Sequence, residues 1–229
     1  EIRTETISLG WNHACALRSD DRITCWGSNY LGRSSPPEET FAAVSAGAQN
    51  TCAIRLDARL TCWGSEADGR SSPPDGVFTS ISMGSHHGCG ILSDTTLACW
   101  GDGDDGEELP PDGTFTAVSA GMKHSCAIRT DQTLACWGQD DLGQSTPPEG
   151  TFTAVAAGSQ HNCAIRTDQT LACWGDNEYG QSIPPQGSFI AIGAGVMHSC
   201  GIYSDGTLVC WGGSTNQELT PPAGTFAAL

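Results

Sequence analysis

Apolar and polar residues alternate through His124–Gly138, HSCAIRTDQTLACWG, in two runs separated by a short polar centre, Thr130–Thr133. A two-residue period on either side of a turn-forming centre predicts a β-hairpin. Cys126 and Cys136 lie equally far from Asp131, so a three-residue turn sets them opposite each other, with Ile128 and Leu134 on the same face. A disulfide across the hairpin is expected. The last copy of the stretch, His198–Gly212, carries Asp205-Gly206 at its centre. There a type I turn followed by a left-handed residue gives the odd register that the cysteines need. Upstream, Phe115–Gly121 alternates apolar and small residues and reads as a strand ending at a glycine turn. One unit is therefore strand A (Phe115–Gly121), strand B (His124–Arg129) and strand C (Leu134–Trp137). Gly138–Gly143 follows as a polar loop. Gln144–Pro148 reads as a connector, because Pro147 and Pro148 lack donors and hold the chain extended. No window has a helical period, so the chain is all β.

The unit recurs without insertion. Cys15, Cys52, Cys89, Cys126, Cys163 and Cys200 are each 37 residues apart, and each is followed ten positions later by Cys25, Cys62, Cys99, Cys136, Cys173 or Cys210 and then Trp-Gly. A constant period of this length, built from strands, means stacked units that bury their faces against neighbours. The reading is a six-bladed β-propeller of 37-residue repeats, with three to four antiparallel strands and one disulfide per blade. It forms a single domain, 1–229, with repeats around 4–40, 41–77, 78–114, 115–151, 152–188 and 189–225. Residues 226–229 align with 41–44 and with 4–7, so both ends offer a strand A. We expect a closed ring in which the two ends meet in one blade, rather than an open array with exposed end faces.

Twelve paired cysteines exceed what a reducing compartment ordinarily permits, unless they bind metal. Zinc sites bring four ligands in close pairs, whereas the members of each pair here have nine residues between them and are aligned by a hairpin, so disulfides are preferred. The chain starts at Glu1 without an initiator Met or a leader-like segment and has no run long and apolar enough to span a membrane. It reads as a mature protein, secreted or at a cell surface. A formal charge of −16, with Lys123 the only lysine, disfavours nucleic acid and anionic lipid as partners.

The runs WGSNYLGR from Trp26 and WGDNEYGQ from Trp174, each after a hairpin with Asp at its turn, resemble the repeat of the regulator of chromosome condensation propellers. The resemblance covers all six copies. Bacterial relatives of that family include β-lactamase inhibitor protein II, whose compact repeats are similar in length. Three features depart from the family pattern: six copies instead of the usual seven blades, a cysteine pair in each copy, and a Pro-Pro connector in place of a Leu-Gly continuation. The resemblance implies the propeller fold, while function varies from member to member. The family's plant ultraviolet-B photoreceptor senses light through tryptophans of a GWRHT motif. Here only Trp11, in GWNHA, matches; the equivalent places hold Ala48, Ser85, Met122, Ser159 and Val196. The periodic Trp26, Trp63, Trp100, Trp137, Trp174 and Trp211 are expected to pack between blades instead.

His13, His87, His124, His161 and His198 recur with Asn50 in the sixth place. Asn replaces a hydrogen-bonding side chain well and a metal ligand poorly, so a structural role is expected. The acidic run holding Asp102, Asp104, Asp105, Glu107 and Glu108 bears a faint likeness to calcium loops, with Asp102, Asp104 and Asp105 as the candidates. It lacks EF-hand spacing and aligns with an ordinary loop in the other copies, so a solvated acidic loop is the preferred reading. Otherwise no cofactor is expected. No copy gathers a nucleophile, base and orienting acid, and no enzymatic activity is expected.

The loop after Trp-Gly is what changes from copy to copy, and variation on a fixed scaffold is where a binding surface is written. The candidate contacts are Asn29, Tyr30, Leu31, Asp104, Asp105, Asp141, Leu142, Asn177, Glu178 and Tyr179. Two readings follow for a non-enzymatic secreted propeller: a binder of another protein, inhibitor-like in its sharpest form, or a self-associating subunit of a filament or surface layer. A glycan-binding or enzymatic site in the central channel is a third.

Overall fold

The computed structural model describes residues 7–214 and 219–227. They form six three-stranded antiparallel sheets, each in sequence order. The blades are β1 (Ile7–Leu9), β2 (His13–Leu17), β3 (Ile23–Gly27); β4 (Phe41–Ala46), β5 (Asn50–Arg55), β6 (Leu60–Gly64); and β7 (Phe78–Met83), β8 (His87–Leu92), β9 (Leu97–Gly101). They continue with β10 (Phe115–Ala120), β11 (His124–Arg129), β12 (Leu134–Gly138); β13 (Phe152–Ala157), β14 (His161–Arg166), β15 (Leu171–Gly175); and β16 (Phe189–Ala194), β17 (His198–Tyr203), β18 (Leu208–Gly212). The three strands expected per repeat are all present, and the first strands of successive blades pack on one another.

The hairpin register is the expected one. Cys126 faces Cys136 and Ile128 faces Leu134, and all six pairs n to n+10 are bonded. At the turn, Arg129 N–H donates to Thr133 O and Gln132 N–H to Arg129 O, while Asp131 Oδ1 accepts from Thr133 N–H at 3.0 Å. Gln132 has φ 72°, and Asp21, Ala58, Thr95, Gln169 and Gly206 occupy the same left-handed place. Glycine holds it only in the sixth blade. Elsewhere the turn acid three residues before the strand, and the strand pairing around it, hold a residue that would prefer another conformation. In the first blade that acid is Asp20, whose Oδ1 accepts from Arg22 N–H.

Each blade is keyed to the next in the same way. The N–H of Phe41, Phe78, Phe115, Phe152 and Phe189 donates to the left-handed turn residue of the preceding blade. Its ring is fully buried between the two: Phe41 sits among Leu17 and Ile23 of the first blade and Val44, Ala53 and Trp63 of the second. Five tryptophan indoles donate to a carbonyl 30 residues earlier, as Trp100 does to Arg70 O at 3.1 Å and Trp137 to Glu107 O at 2.9 Å. Trp100 and Trp137 are buried, as expected of rings packed between blades. The glycines that end strand A are needed for close approach: a Cβ at Gly121 would lie 2.5 Å from Gly158 O.

The closing seam lies only partly among the described residues. Residues 4–6 and 228–229 of the proposed seam lie outside the described residues. Within them, Ile7–Leu9 pairs with β2 as the first blade's own strand A, whereas Phe226 N–H donates to Gly206 O at 2.8 Å, the place where a blade after the sixth would begin. Among the described elements, β16 and β17 do not pack on β1 and β2 as the other successive blades pack. Trp26, the one periodic tryptophan with no blade before it in the sequence, is 49% exposed.

Candidate functional site

The two ends of each blade differ in chemistry. The turn between strands A and B and the loop after Trp-Gly lie together at one end, which we call the loop end. There Ser28, Ser65, Asp102, Gln139, Asp176 and Gly213 donate their N–H groups to the carbonyls of Asn12, Gln49, His86, Lys123, Gln160 and Met197. The glycine before each of these donors has positive φ, from 92° at Gly138 to 112° at Gly101, which turns the chain out of strand C. The hairpin turns with their aspartates occupy the other end.

The buried polar side chains gather at the loop end. His13, His87, His124 and His161 reach across the blade boundary from Nε2 to Thr51, Ser125, Asn162 and Ser199 at 2.7–2.8 Å. Asn50, in the sixth place of that set, donates to Arg70 O, so the structural role expected of the set holds for these five. Burial holds the His87 imidazole down to about 3 and His161 to about 4, and lowers His124 and His13 from 6.5. The contacts of His87 with Ser125 and of His161 with Ser199 place a base beside a hydroxyl. All four side chains are nevertheless buried between blades.

Each of the first five loops folds around one inward side chain: Arg33, Arg70, Glu107, Gln144 or Gln181, all buried. Arg33 donates to Ser28 O, Ser28 Oγ and Ala48 O. Gln144 and Gln181 accept from the N–H of Leu142 and Tyr179. Several candidate contacts serve the loops themselves. Asn29 Oδ1 accepts from Ser34 N–H and Asn177 Oδ1 from Ser182 N–H. Asp141 accepts from Gln139 Nε2, and Asp105 from Lys123 Nζ at 2.7 Å. The Asp104 and Glu178 N–H groups donate to Asp102 and Asp176. Among the described residues no group of three or more His, Cys, Asp or Glu side chains is arranged to hold a metal.

The apolar candidates project outward. Tyr30 is 65% exposed, and Leu31, Leu142 and Tyr179 are about half exposed. Leu142 and Tyr179 stand on the successive fourth and fifth blades, and Tyr30 and Leu31 on the first. The sequence reading missed further exposed apolar side chains at this end: Trp11 and Val196 in the A–B turns, and Leu109 and Ile183 where the loops run into the prolines. The signal was available, since those positions change type from copy to copy just as the loops do.

None of the curated proteins compared with the chain matches it. Among solved structures, the chain is similar to the ectodomain of the Physcomitrella patens receptor kinase CR4, with TM-score 0.80 and 21% identity over 91% of this chain, and it spans 63% of that ectodomain. It is similar to the CRINKLY WD40 ectodomain of the Arabidopsis thaliana receptor kinase ACR4, with TM-score 0.77 and 25% identity over 93% of this chain and 86% of that one. Prp20p of Saccharomyces cerevisiae, described with its binding to Gsp1p and histones, superposes with TM-score 0.78 and 15% identity over 90% of this chain and 71% of that one. The family profile of the regulator of chromosome condensation (RCC1) repeat matches six segments, 5–33, 41–70, 78–107, 115–144, 152–181 and 189–218. With the match repeated in every blade and covering well over half of its length, the chain belongs to the RCC1 repeat family.

Proposed function

We propose that the protein is a non-enzymatic propeller of an oxidising, extracellular compartment that binds a protein partner through its loop end. The observation that carries this reading is the set of exposed Tyr30, Leu31, Leu142 and Tyr179 side chains on rigidly hydrogen-bonded loops. Tyrosine and leucine held on a fixed scaffold contribute contact area at low entropic cost. The charge around them defines the partner. Arg33 and Arg70 are buried and Lys123 is paired with Asp105, so among the described residues the exposed charge of this end is acidic. The matching surface is apolar with a basic rim. Six disulfides support an oxidising location, as do the receptor ectodomains among its structural neighbours. Tyr30→Ala and Tyr179→Ala should each weaken capture of the native partner from extracellular extract, with the fold intact by circular dichroism. Normal capture by both variants, together with its loss on changing Arg129 and Arg166 at the hairpin end, would place the binding surface at the opposite end.

Self-association is the second reading, favoured by the exposed first-blade face carrying Ile7, Leu9 and Trp26. Light scattering after size exclusion separates the two: a concentration-dependent series of multiples of 23.9 kDa supports assembly, and a constant monomer mass removes it.

A further inference from the structure

The inward side chain of the third-blade loop breaks the rule that its sisters follow. In the fourth and fifth blades the glutamine carbonyl accepts the N–H two residues earlier, and the amide nitrogen donates to the first residue of the loop. These donations are Gln144 Nε2 to Gln139 Oε1 at 3.4 Å and Gln181 Nε2 to Asp176 Oδ2 at 2.9 Å. In the first blade Arg33 donates to Ser28 Oγ in the same sense. In the third blade Glu107 Oε2 accepts from Asp105 N–H at 3.0 Å, as the glutamine oxygens do. Its Oε1 therefore takes the place of the amide nitrogen, on the side of Asp102. Glu107 is completely buried, and its Oε1 has no partner. Two facing carboxylates cannot satisfy each other, whereas a carboxylic acid and a carboxylate can.

We propose that Glu107 and Asp102 share one proton. Glu107 then donates an O–H to Asp102 where its sisters donate an N–H, and the Asp102–Glu108 loop is latched in a pH-dependent way. Burial raises the Glu107 carboxyl above its ordinary range, the Glu107 and Asp105 backbone N–H groups pull it back, and the Asp102 and Asp105 charges add to the rise. The surrounding groups are few. Asp105 and Glu108 lie on the same loop, and Lys123, from the turn before β11, pairs with Asp105. His124 backs the loop through the Gly138 contact, and His86, whose carbonyl accepts from Asp102 N–H, closes the side toward β8. At higher pH the proton leaves to solvent, and two adjacent carboxylates remain at the loop that presents Asp104 and Asp105.

The sign is that of an acid raised on folding: the stabilisation is complete below the ordinary Glu value and is lost as pH rises through the folded one. Glu107→Gln installs the residue of the next two blades. The melting temperature of this variant minus that of the wild-type chain should widen by about 2–4 °C between about pH 4 and pH 8. Asp102→Asn, which supplies a donor from the other side, should flatten the wild-type profile in the same window. Carbon-13 titration of the Glu107 carboxyl should show a raised midpoint that falls in Asp102→Asn. A constant difference across the window, or an ordinary Glu107 midpoint, overturns the proposal. So does a rise in wild-type melting temperature on adding calcium at pH 8 that Glu107→Gln abolishes, since the site would then hold a cation in place of the proton.

Discussion

The two ends of every blade are built from different materials. Toward the hairpin end the interior is apolar: Phe115, Ile128 and their periodic equivalents pack against one another, and the turn aspartates above them stand in solvent. Toward the loop end the interior is polar, with imidazoles, amides, hydroxyls and the Arg33 guanidinium bonded across blade boundaries. One end therefore depends on removing apolar area from water, and the other on satisfying buried donors and acceptors. The hairpin end tolerates a change of pH and punishes a change of size. The loop end is the one that should answer to pH.

The largest expected effect of this division is acid sensitivity confined to the loop end. His87 and His161 are held neutral at about 3 and about 4 when folded, against 6.5 when unfolded. A group with a depressed folded value contributes its full stability above the unfolded value and loses it as pH falls toward the folded one. Between about pH 6.5 and pH 4 the two histidines together should withdraw on the order of 5 kcal/mol. Denaturant midpoints across that range measure it. His161→Asn, which copies Asn50 of the second blade, should remove close to half of the slope. A midpoint that stays level from pH 6.5 to pH 4 would break the division between the ends.

Next in size is the covalent tie at the middle of the hairpin. Replacing both Cys126 and Cys136 by Ala should cost about 3 kcal/mol, read as a melting temperature lower by roughly 6–12 °C with unchanged strand content. Unlike the acid effect, this loss should be the same at pH 7 and pH 5. A loss that appears at only one pH would mean that the bridge supports the loop end rather than the hairpin.

These two predictions also separate what was legible in the sequence. Strand period, cysteine spacing and the turn aspartates fixed the hairpin end outright, because alternation, a ten-residue bridge and an Asp side-chain turn are local properties. The loop end was legible only as variable. Arg33, Arg70, Glu107, Gln144 and Gln181 are unlike in type but perform one task, and only the backbone they share reveals it. The burial of His87 and His161 behind the next blade is a long-range fact that no window contains. The same holds for the exposed apolar positions Trp11 and Val196: their variability was visible, and their position beside the loops was not.

At the blade boundary, Ser125→Ala removes the acceptor or donor opposite His87 Nε2 and leaves a buried imidazole nitrogen unpartnered. The cost should be about 1–3 kcal/mol. The first blade carries Ala14 at this position, so the change fits sterically, and the loss measures the hydrogen bond rather than packing. The matching change at the hairpin end, Ile128→Val, should cost about 0.5–1.5 kcal/mol through volume alone. If the serine variant is the milder of the two, the polar end is held by shape more than by hydrogen bonds.

The smallest effect should come from the turn aspartates. Asp131 Oδ1 accepts from Thr133 N–H at 3.0 Å and from Thr133 Oγ1 at 2.7 Å, and the Thr133 hydroxyl bond is the first cause holding its carboxyl below the usual range. Both bonds are in solvent, so water replaces them when the side chain is removed. Asp131→Ala should therefore lower the melting temperature by less than Ile128→Val does, and Asp131→Asn by less again, because the amide oxygen still accepts from Thr133 N–H. What Asp131 supplies is local: it holds Gln132 in the left-handed conformation that glycine takes unaided at Gly206. Gln132→Gly in the Asp131→Ala background should then recover part of the loss, since the turn no longer needs the aspartate to enforce that conformation. Equal stability of the single and double variants would show that the strand register, locked by Cys126 and Cys136, sets the turn without help from its residues.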